Sequence, residues 1–549
     1  MANELEVTQT NLNNALNGSL NNASAIITKD YLDKLETFEI LNPSAEDTDI
    51  DIAQCGKFYK LSKLAVNKEE NFLNKLTTIV NVAYSIDCSI ATIIRSDGQK
   101  IEYLFGILSK NARDKNEVDV KRRQADDKAF RGALAGNLVG SELKELKEED
   151  VRNLRDRILS GKEKCYSSVS GIVALRDEDD KSIEGYVQGI ENLVDSLKGQ
   201  KYTIVMLADP VSTSEIQVIK QGYELLHTQL STFARSSVII NESDTLSLSK
   251  ARTDGISEGI SKGIALTQSK TKSKGKYFGG SASVGVSFVV SANVGFNAGV
   301  NSSTSDTLGQ TNTTTEINQR NKAVTDTTSS SKTAGKSLQL TYENRSVKAL
   351  LDKIDKHLER LDECESFGAF DCAAYVIADD RETALTVASN YNALMRGKNS
   401  SVQSSHINSW FKPEHTQILG KYISSLVHPR FLQSKESRII VTPASIVSGD
   451  ELAIQIGLPK KSIPGISVIP MAPFGRNVLE SKNDTLMLGK LYHMGNNEGS
   501  DGKEQEVHID IESLSMHTFI TGSTGKGKST AIYSILDKLM NHNVKGKEE

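Results

Sequence analysis

The segment at residues 522–529 constrains this 549-residue chain more than any other feature. It reads G-S-T-G-K-G-K-S, a glycine-rich loop that ends in lysine and serine. Gly522 and Gly527 allow backbone angles and close approaches that side chains would block, so successive N–H groups can face phosphate oxygens. Lys528 is predicted to neutralise the terminal phosphate, and Ser529 to place its hydroxyl on Mg²⁺. The predicted phosphate-binding residues are Gly522, Ser523, Thr524, Gly525, Lys526, Gly527, Lys528, Ser529 and Thr530.

The residues on either side of this loop strengthen the prediction. The apolar run at 518–520 is expected to form a strand that leads into the loop, and a helix is expected from Ser529 to about His542. The positive end of that helix dipole would add to the field around an anion. A strand, a phosphate loop and a helix in this order predict that the chain binds ATP with Mg²⁺ as cofactors.

The part of the chain after the loop is short. Only residues 545–549 follow Val544, whereas one β-α-β unit needs roughly thirty residues. A nucleotide hydrolase of this type also needs a carboxylate on a neighbouring strand, a group that orients water, and often an arginine finger. Asp510 is the nearest upstream acidic strand end. We therefore expect an N-terminal part of a longer ATPase, cut after the first strand, loop and helix, and the sequence assigns no catalytic residue.

The overall charge and the cysteines limit the class of protein. A net charge of −5 and a pI of about 6.1 give no global attraction to nucleic acid or anionic lipid. The five cysteines are odd in number and lack C-x-x-C spacing, which argues against a disulfide framework and structural zinc. No signal peptide and no 18-residue apolar run is present. The expected location is cytoplasmic, with no helical membrane span.

The region at residues 31–240 is predicted to be a mixed α/β domain. An Asp-Gly turn at 97–98 separates β-branched runs at 89–95 and 100–105, which predicts a hairpin. A buried strand is expected at 202–208, followed by a helix that Ser212 and Glu215 begin as a capping box and that ends near Ala234. The core-facing stripe of that helix is Ile216, Ile219, Tyr223, Leu226 and Leu230. The neighbouring His227 is expected to be solvated or hydrogen-bonded rather than a metal ligand.

Residues 241–340 form a Ser/Thr/Gly-rich insertion. Within it, every even position from 282 to 300 is apolar, and the odd positions are Ser, Gly or Asn except Val289. This strict alternation is typical of an amphipathic strand. Two interpretations stay open: a hairpin that pairs between subunits or enters a bilayer, and a long ribbon or partly disordered insertion that projects from the domain.

A second α/β unit is predicted at residues 341–430. Its first helix carries an apolar stripe, and a strand at 373–378 and a helix at 382–396, capped by Gly397, follow it. Prolines concentrate beyond this point, which indicates a loop-rich connection. The stripe consists of Val347, Leu350, Leu351, Ile354, Leu358 and Leu361.

Together these patterns predict an α/β chain in five parts. A small β platform and the first β-loop-α unit of a RecA-like P-loop core complete the expected fold. The predicted parts are a flexible N-terminus at 1–30, an α/β domain at 31–240, the insertion at 241–340, a second α/β unit at 341–430, and the β platform with an incomplete P-loop ATPase domain at 431–549.

The C-terminal segment carries further motifs besides the phosphate loop. They read L-P-K-K-S-I-P-G at 458–465, F-G-R-N at 474–477, L-G-K at 488–490 and H-T-F-I-T-G-S-T-G at 517–525. Over about 90 residues this segment resembles the entry to the ATPase domain of HerA/FtsK-type proteins, a DUF87-like group related to conjugative secretion ATPases. In that family the loop usually reads G-S-T-G-S-G-K-S or T. Lys526 stands here where serine is common, which adds charge at the mouth of the loop.

The resemblance implies a hexameric homo-oligomeric ring that uses ATP to move DNA or a secreted polymer, as helicases and translocases do. It also implies a β platform built from residues 466–469 and 486–492, with Arg476 within it. Two roles stay open for Arg476: an approach to the nucleotide or a neighbouring subunit, and a surface ion pair, which is the simpler expectation. The acidic metal-holding strand, glutamine sensor and trans arginine of the family have no matching positions here. The alternative is a membrane-associated or assembly protein whose 281–301 strand mediates pore or oligomer contacts, with nucleotide only gating it.

Overall fold

The structure is a computed structural model. It describes residues 27–48, 50–67, 71–112, 114–159, 164–175, 189–239, 339–343, 345–434, 439–470, 484–490 and 506–545. The strands are β1 Glu39–Ile40, β2 Gly56–Val66, β3 Ser89–Asp97, β4 Ile101–Leu108, β5 Glu142–Glu145, β6 Cys165–Ser170, β7 Lys201–Pro210, β8 Arg235–Ile239, β9 Gln339–Glu343, β10 Ala369–Ala378, β11 His406–Trp410, β12 Phe431–Ser434, β13 Ile439–Val441, β14 Ser445–Ser448, β15 Ser467–Pro470, β16 Thr485–Lys490 and β17 Glu506–Asp510.

Helices alternate with these strands, as expected for an α/β protein. The α-helices are α1 Ala45–Thr48, α2 Ile52–Cys55, α3 Phe72–Ser85, α4 Glu117–Asn137, α5 Glu148–Asn153, α6 Glu191–Ser196, α7 Thr213–Ala234, α8 Arg345–Phe367, α9 Arg381–Met395, α10 Pro413–Ser424, α11 Gly449–Ile456, α12 Ile511–Leu514 and α13 Lys528–Lys545. Short 3₁₀ helices cover Asp30–Thr37 and Lys398–Val402, and a π-helical turn covers Leu154–Leu159.

A ten-stranded sheet forms the centre of the main body. Its principal order is β11-β6-β10-β7-β3-β4-β2-β15, with β14 beside β10 and β5 beside β2. Neighbours pair antiparallel except β15, which runs parallel to β2. Because β10 lies between β6 and β7, strands from residues 31–240 and from residues 341–430 share this one sheet.

Both faces of the sheet are covered, and this explains the composition of its central strands. All ten residues of β10 are buried. Phe370, Cys372 and Val376 pack into the core beneath α3, α4, α9 and α11, whereas Tyr375 and Ile377 pack into the opposite core beneath α2 and α10. A strand buried on both faces reads as a continuous apolar run rather than as an alternating one.

The local sequence predictions for the first region are confirmed. β3 and β4 form an antiparallel hairpin in which Ser96 lies opposite Ile101, and the predicted strand at 202–208 lies within β7. At the start of α7, the N–H of Glu215 donates to Ser212 Oγ at 3.3 Å, and the N–H of Ser212 donates to the Glu215 carboxylate at 3.2 Å. The stripe on α7 is buried, and His227 Nε2 lies 3.3 Å from Asp355 Oδ1.

The helices α7 and α8 pack together as a pair and share a separate apolar core. β8 continues from α7 and pairs antiparallel with β9, which leads into α8; Ile239 lies opposite Gln339 in this ribbon. The described structure therefore stops at Ile239 and resumes at Gln339, and these two residues are paired with each other. The alternating segment at 281–301 lies outside the described residues.

The predicted role of Gly397 as the cap of α9 is wrong. Helix α9 ends at Met395, and Gly397 adopts an extended φ of −139° rather than a left-handed one. A Cβ atom at Gly397 would lie 2.1 Å from the carbonyl oxygen of Leu175 and 2.3 Å from that of Ala174. Glycine is required here because another backbone segment approaches too closely for a side chain.

The β platform predicted from residues 466–469 and 486–492 does not form one sheet within the described residues, and 491–492 lie outside them. β15 joins the edge of the central sheet beside β2, with Val468 opposite Leu64, whereas β16 pairs with β17. β2 is long enough to pair with three strands: β4 and β5 pair with its earlier residues, and β15 pairs in parallel with its last four residues. A strand far along the chain can therefore join the sheet at this edge. None of the helices that the structure describes has the length and apolar character needed to cross a bilayer.

Candidate functional site

The predicted phosphate loop belongs to a small unit made of β16, β17, α12 and α13. β16 and β17 form an antiparallel pair in which Leu486 lies opposite Ile509. Helix α13 is held against β16 by polar contacts: Lys538 Nζ donates to the carbonyl oxygens of Met487 at 2.9 Å and Leu488 at 2.6 Å. Near the end of α13, His542 Nε2 lies 2.7 Å from Asp484 Oδ2. These contacts fix the helix that begins at the loop.

The loop takes its shape from glycines with left-handed backbone angles. φ is 77° at Gly525 and 85° at Gly527, a region that residues with a Cβ atom rarely adopt. A Cβ atom added at either glycine would meet no described heavy atom within 4 Å. The space around the turn is therefore open, and the glycines serve the backbone conformation rather than close packing within the unit. An open cradle of this kind fits a phosphate chain.

Lys528 is bound to the loop itself. Its Nζ donates to the carbonyl oxygens of Gly522 at 2.6 Å and Ser523 at 2.8 Å. The side chain is half-buried, whereas the other residues of the loop are exposed. The ammonium group therefore already lies across the start of the loop, and an incoming phosphate oxygen would compete with these two carbonyls for it.

The start of α13 supplies backbone donors next to this lysine. The first intrahelical bond runs from the N–H of Ala531 to the carbonyl oxygen of Gly527 at 2.9 Å. The N–H groups of Lys528, Ser529 and Thr530 precede that bond, and such groups at a helix start have no partner within the helix. Ser529 is exposed beside them. Unpaired N–H groups, a helix dipole and a lysine together make an anion-binding arrangement.

The strand expected at 518–520 is not formed. Residues 517–523 have no regular secondary structure, and the side chain of Phe519 is 89% exposed. A strand requires a neighbour to accept its backbone hydrogen bonds, and among the described residues none lies beside this run. The same unit exposes an apolar face on α13, formed by Ile532, Tyr533, Leu536 and Met540.

The other residues singled out from the sequence have different outcomes. Asp510 ends β17 and caps α12, because its carboxylate accepts from the N–H of Glu512 at 3.2 Å and from Ser513 Oγ at 3.1 Å. Arg476 lies outside the described residues. Sequence reasoning missed Lys538 and His542, which tether α13. Lys538 donates to backbone carbonyls of β16 and His542 lies against the side chain of Asp484, and contacts between such distant positions leave no local pattern in the sequence. The described ranges contain no cluster of three or more His, Cys, Asp or Glu side chains placed to hold a metal ion.

The comparison with protein families identifies what this unit is similar to. Residues 486–547 match the family model described as Helicase HerA, central domain. The match covers β16, β17, the loop and α13. No curated protein and no solved structure matches the chain. The family match supports a nucleotide-binding unit of the HerA type in this segment, as the resemblance of its motifs implied.

Proposed function

We propose that residues 484–545 bind ATP with Mg²⁺ and that the chain acts in a HerA/FtsK-type ring ATPase. The observation that carries this proposal is the loop geometry. Left-handed glycines, unpaired amides at the start of α13 and the ammonium group of Lys528 occur together within residues 522–530. The family match at 486–547 supports the same assignment.

Each part of the loop has a role in this proposal. The N–H groups of residues 528–530 would bind phosphate oxygens, and Lys528 would exchange its two carbonyl partners for the β- and γ-phosphates. Ser529 would hold Mg²⁺ through its hydroxyl group. The metal, when bound, would neutralise charge on the phosphates. The open space around Gly525 and Gly527 fits a bulky phosphate chain.

Hydrolysis and movement are the wider part of the proposal. Hydrolysis needs a carboxylate for the metal, a group that orients water and a cation near the leaving phosphate. Asp510 caps α12 instead, so we propose that these groups come from outside residues 484–545, with a neighbouring subunit of a hexameric ring supplying the cation. The balanced charge of the chain favours neither DNA nor a secreted polymer as the substrate that the ring moves.

Nucleotide binding by the Lys528→Ala chain tests the proposed function. A fluorescent ATP analogue with Mg²⁺ is expected to bind the unaltered chain and to lose its affinity for the variant. Lys421→Ala, which removes an exposed lysine from α10, is the matched control and is expected to bind normally. Melting of the main body is expected to stay unchanged, because both hydrogen bonds that the structure describes for the Lys528 side chain stay within its own loop. ATP binding that survives Lys528→Ala would contradict the proposal.

A second function, assembly or membrane contact through the insertion, is favoured by one observation. The ribbon β8–β9 brings together the two positions from which residues 240–338 depart, next to the paired helices α7 and α8. Because Ile239 lies opposite Gln339, a two-residue Asn-Gly turn can replace 240–338 without disturbing the ribbon.

The deletion variant provides the test of this second function. The unaltered chain is expected to float with liposomes or to release their contents, and the Asn-Gly variant is expected to do neither. Chain mass in solution, measured on both proteins, separates contacts between subunits from contacts with lipid. Identical behaviour of the two proteins in all three assays would remove this function.

A further inference from the structure

The phosphate loop contains two lysines that are in different situations. Lys528 is half-buried and donates to the carbonyl oxygens of Gly522 and Ser523. Lys526 is exposed, and its ammonium group makes no hydrogen bond or ion pair with the residues that the structure describes. Only its backbone N–H is bound, to the carbonyl oxygen of Ser523 at 3.3 Å. One cation of the loop is therefore occupied, and the other is available to a ligand.

The position of Lys526 in the loop indicates which part of a ligand it would meet. It lies at a bend between Gly525 and Gly527, two residues before the helix start whose amides would hold the inner phosphates. The terminal phosphate carries the most charge of a triphosphate chain and is attached at one end only. We expect the exposed, flexible side chain of Lys526 to reach that end group rather than the inner phosphates, which the helix amides would hold.

We propose that Lys526 is a second phosphate-binding cation that makes this loop prefer nucleoside triphosphates over diphosphates. The inference rests on the proposed function, because it requires the loop to hold a nucleotide. Lys528 also contacts the β-phosphate that ATP and ADP share, so Lys526 adds to a preference for ATP that Lys528 supplies in part. The added attraction is electrostatic, takes place in water and is weakened by salt.

The size of the effect follows from the exposure of Lys526. Two unit charges about 4 Å apart in bulk water attract each other enough to change a binding constant about fivefold. A diphosphate lacks the terminal group, so its affinity is expected to change by less than about twofold. The effect should shrink at about 0.5 M salt, where charges are screened over a few ångströms.

Titration of the full chain with fluorescent analogues of ATP and ADP, each with Mg²⁺, tests the inference. Lys526→Ser is expected to weaken ATP binding about fivefold while ADP binding stays within about twofold. Lys526→Arg keeps the charge and is expected to restore the preference. Lys421→Ser removes one exposed charge elsewhere and is expected to change neither affinity.

Three outcomes would overturn the inference: equal loss of ATP and ADP affinity in Lys526→Ser, no loss at all, or the same loss in Lys526→Arg. The Lys528→Ala variant separates these outcomes from failure of the proposed function. If Lys528→Ala abolishes binding while Lys526→Ser leaves the ATP preference intact, the loop binds nucleotide and only the role of Lys526 is wrong.

Discussion

A buried ion pair between α8 and α11 gives the sharpest stability prediction. Arg360 Nε donates to Glu451 Oε1 at 2.7 Å, and Arg360 Nη2 donates to Glu451 Oε2 at 2.6 Å and to the carbonyl oxygen of Ile446 at 2.8 Å. The side chains are only 14% and 13% exposed. Burial disfavours the charged form of Arg360, but Glu451 outweighs it and raises the pKa of the guanidinium group. Glu451 also accepts from the N–H of Ser448 in the capping box of α11.

Replacing Arg360 with methionine keeps most of the apolar contacts and removes the charge. The carboxylate of Glu451 then stays buried without its cation, and breaking a buried pair in this way costs about 3–5 kcal/mol. The double variant Arg360→Met/Glu451→Gln carries no charge at either of these two positions. It is expected to recover about 1–3 kcal/mol relative to the sum of the two single changes.

Unfolding in urea, followed by the fluorescence of the single tryptophan Trp410, measures these free energies. Trp410 is buried and stacks on Phe431 in the main body, so its signal reports loss of that core. Lys121→Met is the control: Lys121 and Glu117 form an ion pair that is mostly exposed, and its loss should cost less than about 1 kcal/mol. A cost below about 1 kcal/mol for Arg360→Met, or strict additivity in the double variant, would mean that Glu451 does not depend on Arg360 in the folded chain.

Two further predictions concern stability elsewhere in the main body. Burial is the larger cause and the charge of Arg360 the next, and together they lower the pKa of His357 from 6.5 to about 3. The folded chain therefore keeps this ring neutral, whereas the unfolded chain protonates it below pH 6.5. Stability is therefore full above pH 6.5 and falls on acidification by up to about 1.4 kcal/mol per pH unit; His357→Gln should unfold with a shallower pH dependence, and equal slopes would contradict this. Gly397→Ala forces a Cβ atom against the Ala174 and Leu175 carbonyls and should cost about 1–3 kcal/mol of unfolding free energy. Gly132→Ala, on the open face of α4, should raise the unfolding free energy by about 0.5–1 kcal/mol. The melting temperatures of the two variants test this, and similar shifts would be inconsistent with the packing at Gly397.

The sequence allowed prediction of those parts of the fold that depend on neighbouring residues. The Asp-Gly hairpin, the capping box at Ser212 and the stripe on α7 each arise from contacts within a few positions along the chain, and all three are confirmed. The reason for glycine at 397 lies in the backbone of Ala174 and Leu175, more than 200 positions away, so no local pattern reveals it. The pairing of β15 with β2 likewise joins residues far apart along the chain, such as Val468 and Leu64.

In the candidate site, too, features that depend on neighbouring residues could be predicted, and features that depend on distant residues could not. The loop and its helix follow from the order of glycines, lysine and serine, because their backbone conformation is a local property. The state of residues 518–520 is not local, since a strand forms only where a neighbour accepts its hydrogen bonds. The tether from Lys538 to β16 also depends on how the helix and strand meet in space.

Hydrogen exchange of the backbone amides of residues 523–530, measured on the full chain with and without Mg²⁺-ATP, shows whether ATP binds at this loop. We expect ATP to slow exchange across this loop and the first turn of α13, and Lys528→Ala to remove the protection. Exchange in the loop that is unchanged at an ATP concentration that saturates the chain would contradict this expectation, because the nucleotide would then be bound elsewhere.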